Sequence, residues 1–147
     1  MNDVPSIPQI QKEISEEFSF FDNWEDKYGY IIDLGKKLSP LDEKYKTENN
    51  KIKGCQSQVW LNSYLENNKV IFEADSDASI VKGLAGMLVS IYSGHTPDEI
   101  VNSELTVLHD IGMSQHLSPT RSNGLAAMNK QIKMRALAYK AKITQDQ

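Results

Sequence analysis

The chain has 147 residues, 39% of them hydrophobic and 24% charged, which is the size and composition of one globular domain with its own core. Its 16 lysines and arginines are outnumbered by 20 aspartates and glutamates, and the net charge of -4 argues against a protein whose main task is to bind nucleic-acid phosphates. The single cysteine, Cys55, excludes an intramolecular disulfide framework and any zinc or iron–sulfur site that needs several thiolates of one chain.

Two amphipathic helices are predicted before residue 39. Ser6 is placed to cap the first and Asp22 to cap the second, because apolar residues follow each at steps of three and four. The first apolar stripe consists of Ile10, Ile14, Phe18 and Phe21. The second consists of Trp24, Tyr28, Ile31, Gly35 and Leu38. Residues 39–54 are polar and carry four lysines, so a loop is predicted there.

An antiparallel hairpin is predicted after Cys55. Apolar residues alternate along two short segments, which is typical of strands that bury one face. The inward positions are Val59, Leu61, Ser63 and Leu65 on the first strand and Val70, Phe72 and Ala74 on the second. Residues 66–69 form the turn between them.

Further helices are predicted after the hairpin. Asp75 and Asp77 are placed to cap a long apolar helix that reaches Tyr92. Thr96, with proline next and Glu99 three residues on, has the pattern of a capping box for a short helix. The next apolar run is too brief for its periodicity to distinguish a strand from a helix; it comprises residues 105–108.

The last helix is predicted to begin at Ser118 and to bury one apolar stripe. Its inward residues are Leu125, Met128, Ile132 and Leu137. Its basic residues, Lys133 and Arg135 among them, match the helix dipole near the carboxyl end. The elements together predict an α+β fold, with the helices packed on one face of a small antiparallel sheet. We expect a single domain over residues 1–147, with residues 1–20 as a helical extension.

The sequence contains no segment typical of secretion or membrane insertion. The amino terminus has neither the positive nor the apolar region of a secretory signal. The longest apolar stretch, residues 80–92, contains Lys82 and is shorter than the ~18 residues that a membrane helix needs. We therefore expect a cytoplasmic protein with no membrane segment.

Cys55 lies where the polar loop meets the first strand, and it is the leading candidate for chemistry. Gly54 permits backbone conformations that would let a partner approach closely. Lys51 and Lys53 lie within four residues of Cys55 and could lower the pKa of the thiol by favouring the thiolate. The alternative is that Cys55 is a small buried hydrophobic residue at a strand start.

Other residue types give no comparable signal. The three histidines, His95, His109 and His116, lack metal-ligand spacing and are predicted to be surface or capping residues. A Cys–His hydrolase would need one of them to reach Cys55, which has no cysteine-protease signature around it. Glycines inside the long apolar helix indicate close helix packing rather than a phosphate loop. These glycines are Gly83 and Gly86.

Seven separated blocks resemble one known family. The most specific block is Gly54-Cys55-Gln56-Ser57-Gln58-Val59-Trp60. The others, in chain order, are Asn23-Trp24-Glu25-Asp26-Lys27-Tyr28, Ile31-Ile32-Asp33-Leu34-Gly35, Asp75-Ser76-Asp77-Ala78, Ile80-Val81-Lys82-Gly83-Leu84, Thr96-Pro97-Asp98-Glu99-Ile100-Val101 and Gln115-His116-Leu117-Ser118-Pro119-Thr120-Arg121-Ser122-Asn123-Gly124. This pattern resembles the SufE/CsdE family of sulfur acceptors, which work with cysteine desulfurases in iron–sulfur cluster assembly.

The resemblance implies a role for two residues. Cys55 matches the sulfur-accepting cysteine, and Arg121 matches the arginine of a conserved segment of the family. The implied reaction is attack of the Cys55 thiolate on the outer sulfur of a persulfide held by the desulfurase. The sulfur then passes to a scaffold protein. The implied fold, similar to that of the IscU scaffold, agrees with the α+β prediction.

The resemblance also implies partners. These are a SufS- or CsdA-like cysteine desulfurase, whose turnover the chain would enhance, and a SufBCD-like iron–sulfur scaffold. Pyridoxal phosphate belongs to the desulfurase, so no cofactor and no metal are expected in this chain, which is not itself an enzyme. We expect a monomer or a weak dimer that binds no nucleic acid and no membrane.

Five residues are expected to support Cys55 or contact a partner. They are Gly54, Gln56, Ser57, Asp77 and Arg121. For Asp77 the alternative is helix capping, and for Arg121 it is a structural ion pair. Gln56 and Ser57 could instead simply begin the strand. A mobile loop that shelters Cys55 beneath apolar side chains and then extends it would protect a persulfide.

One alternative function belongs to a different class. In it, the chain is a non-catalytic interaction module and Cys55 is structural. Replacement of Cys55 by serine separates the two hypotheses, because only the sulfur acceptor would lose its function.

Overall fold

The computed structural model describes residues 4–145, so the first three and last two residues of the predicted domain lie outside it. Its longer elements are α1 (Ile7–Phe18), α2 (Trp24–Lys36), β1 (Val59–Glu66), β2 (Lys69–Ser76), α3 (Ser79–Tyr92), α4 (Pro97–Val101), α5 (Val107–Asp110) and α6 (Pro119–Gln145). Two 3₁₀ turns lie at Glu43–Tyr45 and Met113–Gln115. This confirms the α+β class. No helix in the described range is long and apolar enough to cross a membrane.

Side-chain caps fix the starts of three helices. The Ser6 hydroxyl accepts a hydrogen bond from the Gln9 amide at 3.2 Å, as predicted. The predicted capping box at Thr96 is present in full. For α2 the prediction of Asp22 as the cap was wrong by one residue. Asn23 has the extended backbone of a cap, and its side-chain oxygen accepts from the Asp26 amide at 2.8 Å.

The hairpin pairs β1 with β2 over eight residues, from Val59 opposite Ser76 to Glu66 opposite Lys69. A two-residue turn joins them, and both turn residues, Asn67 and Asn68, have positive φ values of 53° and 64°. Asparagine tolerates that conformation, and the turn matches the right-handed twist of the strands. The inward apolar residues are buried as predicted: Val59, Leu61, Val70, Phe72 and Ala74.

Helix α3 is the central element between the sheet and the other helices. It packs against α2 at backbone distance, since a Cβ on Gly83 would lie 2.2 Å from the Ile31 carbonyl oxygen. A Cβ on Gly86 would likewise lie 2.7 Å from the Leu34 carbonyl oxygen. The predicted reason for these glycines, close helix packing, is therefore confirmed.

Helix α6 packs against α4 and α3. Leu125, Met128 and Ile132 are buried as predicted, but Leu137 is 57% exposed. Ala136 takes the inward position because it lies four residues after Ile132, whereas a fifth residue rotates away from the core.

Of the basic residues predicted to match the helix dipole, Lys142 lies in the last turn of α6 as predicted, whereas Lys133 and Arg135 lie well before the end of the helix at Gln145. Lys133 donates to the Ile100 carbonyl oxygen at 2.6 Å, at the end of α4. Arg135 donates to the Leu61 carbonyl oxygen at 2.6 Å and therefore joins α6 to β1. Both side chains therefore donate hydrogen bonds to carbonyl groups that lie far away in the sequence.

Only the second half of the undecided run 105–108 is helical, since α5 begins at Val107, and residues 4–145 contain no third strand. Gln11 of α1 caps α5, because its side-chain oxygen accepts from the Thr106 and Val107 amides at 2.8 and 3.0 Å. Nearby, His95 is buried and its Nε2 lies 2.8 Å from the Pro5 carbonyl oxygen. His95 is therefore not a surface residue, but its Nδ1 lies 3.3 Å from the carbonyl oxygen of Tyr92, the last residue of α3, as the alternative prediction of a capping role implies.

Candidate functional site

Cys55 lies on a six-residue loop whose ends are held together. The amide of Ile52 donates to the Val59 carbonyl oxygen at 2.8 Å, and the Leu61 amide donates to the Asn50 carbonyl oxygen at 2.8 Å. The end of the predicted polar loop is thus paired with the edge of β1, which leaves residues 53–58 as the loop proper. Gly54 has a φ of 92°, a left-handed conformation that glycine adopts without steric cost.

The far end of this loop is fixed by residues that follow β2. The Gln58 amide donates to the Asp77 carboxylate at 3.1 Å, and the Ser76 hydroxyl donates to the Gln58 carbonyl oxygen at 2.8 Å. The prediction that Asp75 and Asp77 cap α3 was wrong. Ala78 occupies the cap position without a side-chain hydrogen bond, because strand pairing continues through Ser76 and directs both carboxylates elsewhere.

Asp75 instead joins three parts of the fold. Its carboxylate lies 3.1 Å from the Lys46 ammonium, in the segment before β1, and 3.4 Å from the Lys82 ammonium of α3. The Ser76 amide also donates to it at 2.8 Å. Burial by itself would raise the pKa of Asp75, but these hydrogen bonds and charges outweigh it and the pKa is lowered.

The thiol of Cys55 is half-buried and points at the first turns of α6. Its Sγ lies 3.7 Å from the Gly124 carbonyl oxygen, and a Cβ on Gly124 would lie 3.3 Å from Sγ. The absence of a side chain at Gly124 therefore makes room for the sulfur. Sequence reasoning assigned no role to Gly124, although a glycine inside a helical pattern is itself a signal of close approach.

Burial raises the pKa of the Cys55 thiol. The prediction that Lys51 and Lys53 lower it was therefore wrong. The physical reason is desolvation, which penalises the thiolate beneath α6. In the free protein Cys55 is held chiefly as the neutral thiol at neutral pH.

Cys55 opens into a cavity of about 440 Å³ between its own loop, the start of α3 and the start of α6. The polar and charged side chains that line it are Gln56, Ser57, Ser79, Ser118, Thr120 and Arg121. Its apolar lining includes Ile80, Val81, Leu84, Leu125 and Met128. The predicted set is thus partly brought together: Cys55, Gln56, Ser57 and Arg121 share the cavity, whereas Gly54 and Asp77 shape the loop behind it.

Arg121 is exposed at this cavity, and its side chain forms no ion pair within the described range. The Ser118 hydroxyl accepts from the Arg121 amide at 3.2 Å, which fixes the first turn of α6 and with it the position of the side chain. The residues that line the cavity include no histidine. His116, which lies near Arg121 in the sequence, instead stacks on Trp24 with ring centroids 3.9 Å apart. The cavity therefore offers a thiol and a guanidinium without an imidazole base.

Comparison with known proteins identifies the family. Residues 12–136 match the family model for SufE, described as an Fe–S metabolism associated domain. The chain belongs to the SufE family. It is 42% identical over 129 residues to an uncharacterized SufE-like protein of Rhizobium meliloti, a match covering 84% of this chain and 92% of that protein. A second SufE-like protein, from Rhizobium etli, is 43% identical over 129 residues, a match covering 84% of this chain and 87% of that protein.

A solved structure has the same fold. The solution structure of a hypothetical protein from Thermus thermophilus superposes with a TM-score of 0.75, over 90% of this chain and 96% of that chain, at 19% identity. This likeness concerns the fold. Membership of the SufE family associates the chain with Fe–S metabolism.

Proposed function

We propose that this SufE-family protein is a sulfur acceptor and carrier. It takes persulfide sulfur on Cys55 from a cysteine desulfurase, enhances desulfurase turnover, and passes the sulfur to an iron–sulfur cluster scaffold. The observation that carries the proposal is the position of the one thiol, half-buried at a cavity beside Arg121. Such a position can shelter a reactive sulfur and still present it to a docked protein.

The transfer is a thiol exchange that needs no second cysteine in this chain. The Cys55 thiolate attacks the outer sulfur of the desulfurase persulfide, a new S–S bond forms at Cys55, and the S–S bond of the donor breaks. The electron pair of the broken bond leaves on the donor cysteine, which departs as a thiolate. Because one S–S bond forms as another breaks, no external oxidant or reductant takes part, and the proton given up by the Cys55 thiol can pass to the donor thiolate.

The raised pKa of Cys55 has a consequence for timing. A neutral thiol is a weak nucleophile, so we expect Cys55 of the free protein to react slowly with small oxidants. Docking of the desulfurase would have to favour the thiolate, and movement of residues 53–58 away from Gly124 would do so by exposing the sulfur to charge and solvent. The hydrogen bonds at both ends of this loop confine such movement to six residues.

Arg121 is the residue best placed to dock the partner. It is exposed at the cavity and forms no ion pair within residues 4–145, so it is free to bind a carboxylate of the desulfurase beside the reacting sulfurs. This chain contributes no base to the transfer and acts only within the complex. The pyridoxal phosphate chemistry that generates the persulfide belongs to the desulfurase.

The decisive experiment is intact mass spectrometry after incubation with a cysteine desulfurase and free cysteine. We expect a gain of about one sulfur atom that a reductant reverses and that the C55S variant lacks. Binding of C55S to the desulfurase, measured in parallel, should be retained. Binding without any gain in the wild-type protein would favour the non-catalytic interaction module.

A further inference from the structure

A second depression lies beside the Cys55 loop and has no role in the proposed transfer. We call it the lysine groove. It has a volume of about 560 Å³ and runs between the segment before Cys55 and the outer face of α6. Its lining residues are Glu48, Asn49, Lys51, Lys53, Ala127, Lys130, Gln131 and Met134.

The groove concentrates positive charge on an acidic protein. Three lysines line it against one glutamate, although the whole chain has a net charge of -4. None of the three ammonium groups, on Lys51, Lys53 and Lys130, forms an ion pair within residues 4–145. The groove therefore carries an excess of positive charge, which Glu48 offsets only in part and which is available to an acidic ligand.

The groove is continuous with the Cys55 loop. Lys53 lies two residues before Cys55, and a Cβ on Gly54 would lie 3.7 Å from the Ala127 side chain that lines the groove. Ala127 follows Gly124 by one turn of α6, and Gly124 is the residue that contacts the Cys55 sulfur. A ligand in the groove would consequently lie against the base of the loop that carries the thiol.

One edge of the groove is apolar. Met134 is 52% exposed, and Leu137, which is three residues further along α6 and so on the same side of the helix, is 57% exposed. Exposed long apolar side chains beside lysines fit a polypeptide that carries both acidic and apolar residues. They fit a phosphate backbone less well, because it would leave them uncovered.

We propose that the lysine groove binds an acidic segment of the cysteine desulfurase that loads Cys55, an inference that rests on the proposed function. The lysines attract the segment and speed the encounter, while Met134 and Leu137 hold it once it is bound. The groove would thus bind the donor on one side of the loop while Arg121 binds it on the other.

The test compares two charge-reversal variants of the full chain. One carries K53E and K130E in the groove, and the matched control carries K12E and K36E on exposed positions of α1 and α2. Association with the desulfurase is measured by stopped flow at several salt concentrations. We expect the groove variant to associate about tenfold more slowly at low salt and to lose most of its salt dependence, while the control matches the wild type. Equal slowing of both variants, or of neither, overturns the proposal.

A second pair of variants tests the apolar edge. M134A combined with L137A should raise the dissociation rate about tenfold and leave the association rate unchanged. F20A is the control, because Phe20 is 81% exposed on a different part of the chain. An unchanged dissociation rate in the double variant contradicts the part assigned to Met134 and Leu137.

Two further measurements separate this proposal from other outcomes. The first measures binding of a labelled single-stranded RNA to the wild type and to the variant with K53E and K130E. If the variant loses RNA binding but associates with the desulfurase at the wild-type rate, the groove is a nucleic-acid site and the proposal fails. Sulfur loading of wild-type Cys55 is followed by mass in the same preparations. If wild-type Cys55 is loaded with sulfur but the groove substitutions do not change association with the desulfurase, only the role of the groove is refuted. If wild-type Cys55 is not loaded at all, the proposed function itself is refuted.

Discussion

At the scale of single residues, the environment of Cys55 depends on a glycine, Gly124, which has no side chain to occupy the space of the sulfur. The sulfur lies against Gly124 of α6, and any larger residue there would intrude on it. Close packing of this kind explains why a helix retains a residue that lowers helix stability by about 1 kcal/mol relative to alanine. Gly124 therefore lowers the stability of the helix but leaves room for the buried thiol.

Gly124→Ala should expose Cys55. The added methyl group would lie 3.3 Å from Sγ, which forces the sulfur outwards because the helix backbone cannot yield easily. We expect alkylation of Cys55 by iodoacetamide to be several times faster than in the wild type. Gly29→Ala in α2 is the matched control, since a Cβ there meets nothing within 4 Å. Equal alkylation rates in both variants and the wild type would show that Gly124 does not restrict the thiol.

The pH dependence of alkylation tests the electrostatics of the same residue. Because burial raises the pKa of Cys55, the folded chain keeps the neutral thiol at pH values where the unfolded chain has formed the thiolate. The midpoint of the rate against pH should therefore be higher in the folded protein than in urea. The associated stability is present below the unfolded pKa and is lost as the pH rises through the folded one.

The same profile also distinguishes burial from neighbouring charge. Lys51→Gln with Lys53→Gln should leave the midpoint unchanged, because desolvation alone shifts this pKa. If the midpoint of the folded wild type were lower than that of the unfolded chain, the lysines would lower the pKa of Cys55 after all.

At the scale of elements, the Asp75 carboxylate ties β2 to the segment before β1 and to α3. Asp75→Asn should lower the free energy of unfolding at neutral pH by about 1 kcal/mol. The pKa of Asp75 is lowered in the folded state, so its contribution is present above the unfolded pKa of about 4 and is lost as the pH falls through the folded value. The difference between wild type and variant in urea unfolding should accordingly shrink in acid.

Asp33→Asn is the control for this prediction. Asp33 is 65% exposed and lies 4.0 Å from Lys36, so its replacement should change stability by less than about 0.5 kcal/mol. A difference for Asp75→Asn that is as large in acid as at neutral pH would refute the assignment to the ionised carboxylate.

The same elements show which features could be predicted from sequence. Periodicity and caps are local, so the hairpin and the capping box at Thr96 were predicted correctly. The role of Asp77 was not predicted correctly, because its carboxylate binds the amide of Gln58. That residue is 19 positions away in the sequence, and strand pairing brings the two close together. Gly124 and Cys55 are 69 residues apart, and no local pattern records that contact. The sequence thus identified the candidate reactive residue and missed the residues that bury it.

At the scale of the whole molecule, α1 belongs to the same core as the sheet and α6. Phe18, at the end of α1, is 2% exposed, and its ring meets that of Tyr30 in α2 edge to face with centroids 4.9 Å apart. Gln11 caps α5, and Pro5 contacts the buried His95. The segment first described as a helical extension is therefore integral to the packing, and we expect the described part of the chain to unfold as one unit.

Phe18→Ala tests this cooperativity, because it removes a buried aromatic ring from α1, outside the hairpin, and should cost about 3–5 kcal/mol. In a Trp24→Phe background the remaining indole, Trp60, reports on β1, while far-ultraviolet circular dichroism reports on the helices. In one cooperative unit both urea transitions shift to lower concentration together. Phe20→Ala, two residues away and 81% exposed, should shift neither. If the Trp60 transition stayed in place while the helical signal shifted, the hairpin and α1 would be separate units, and burial of Cys55 would not depend on the amino-terminal helix.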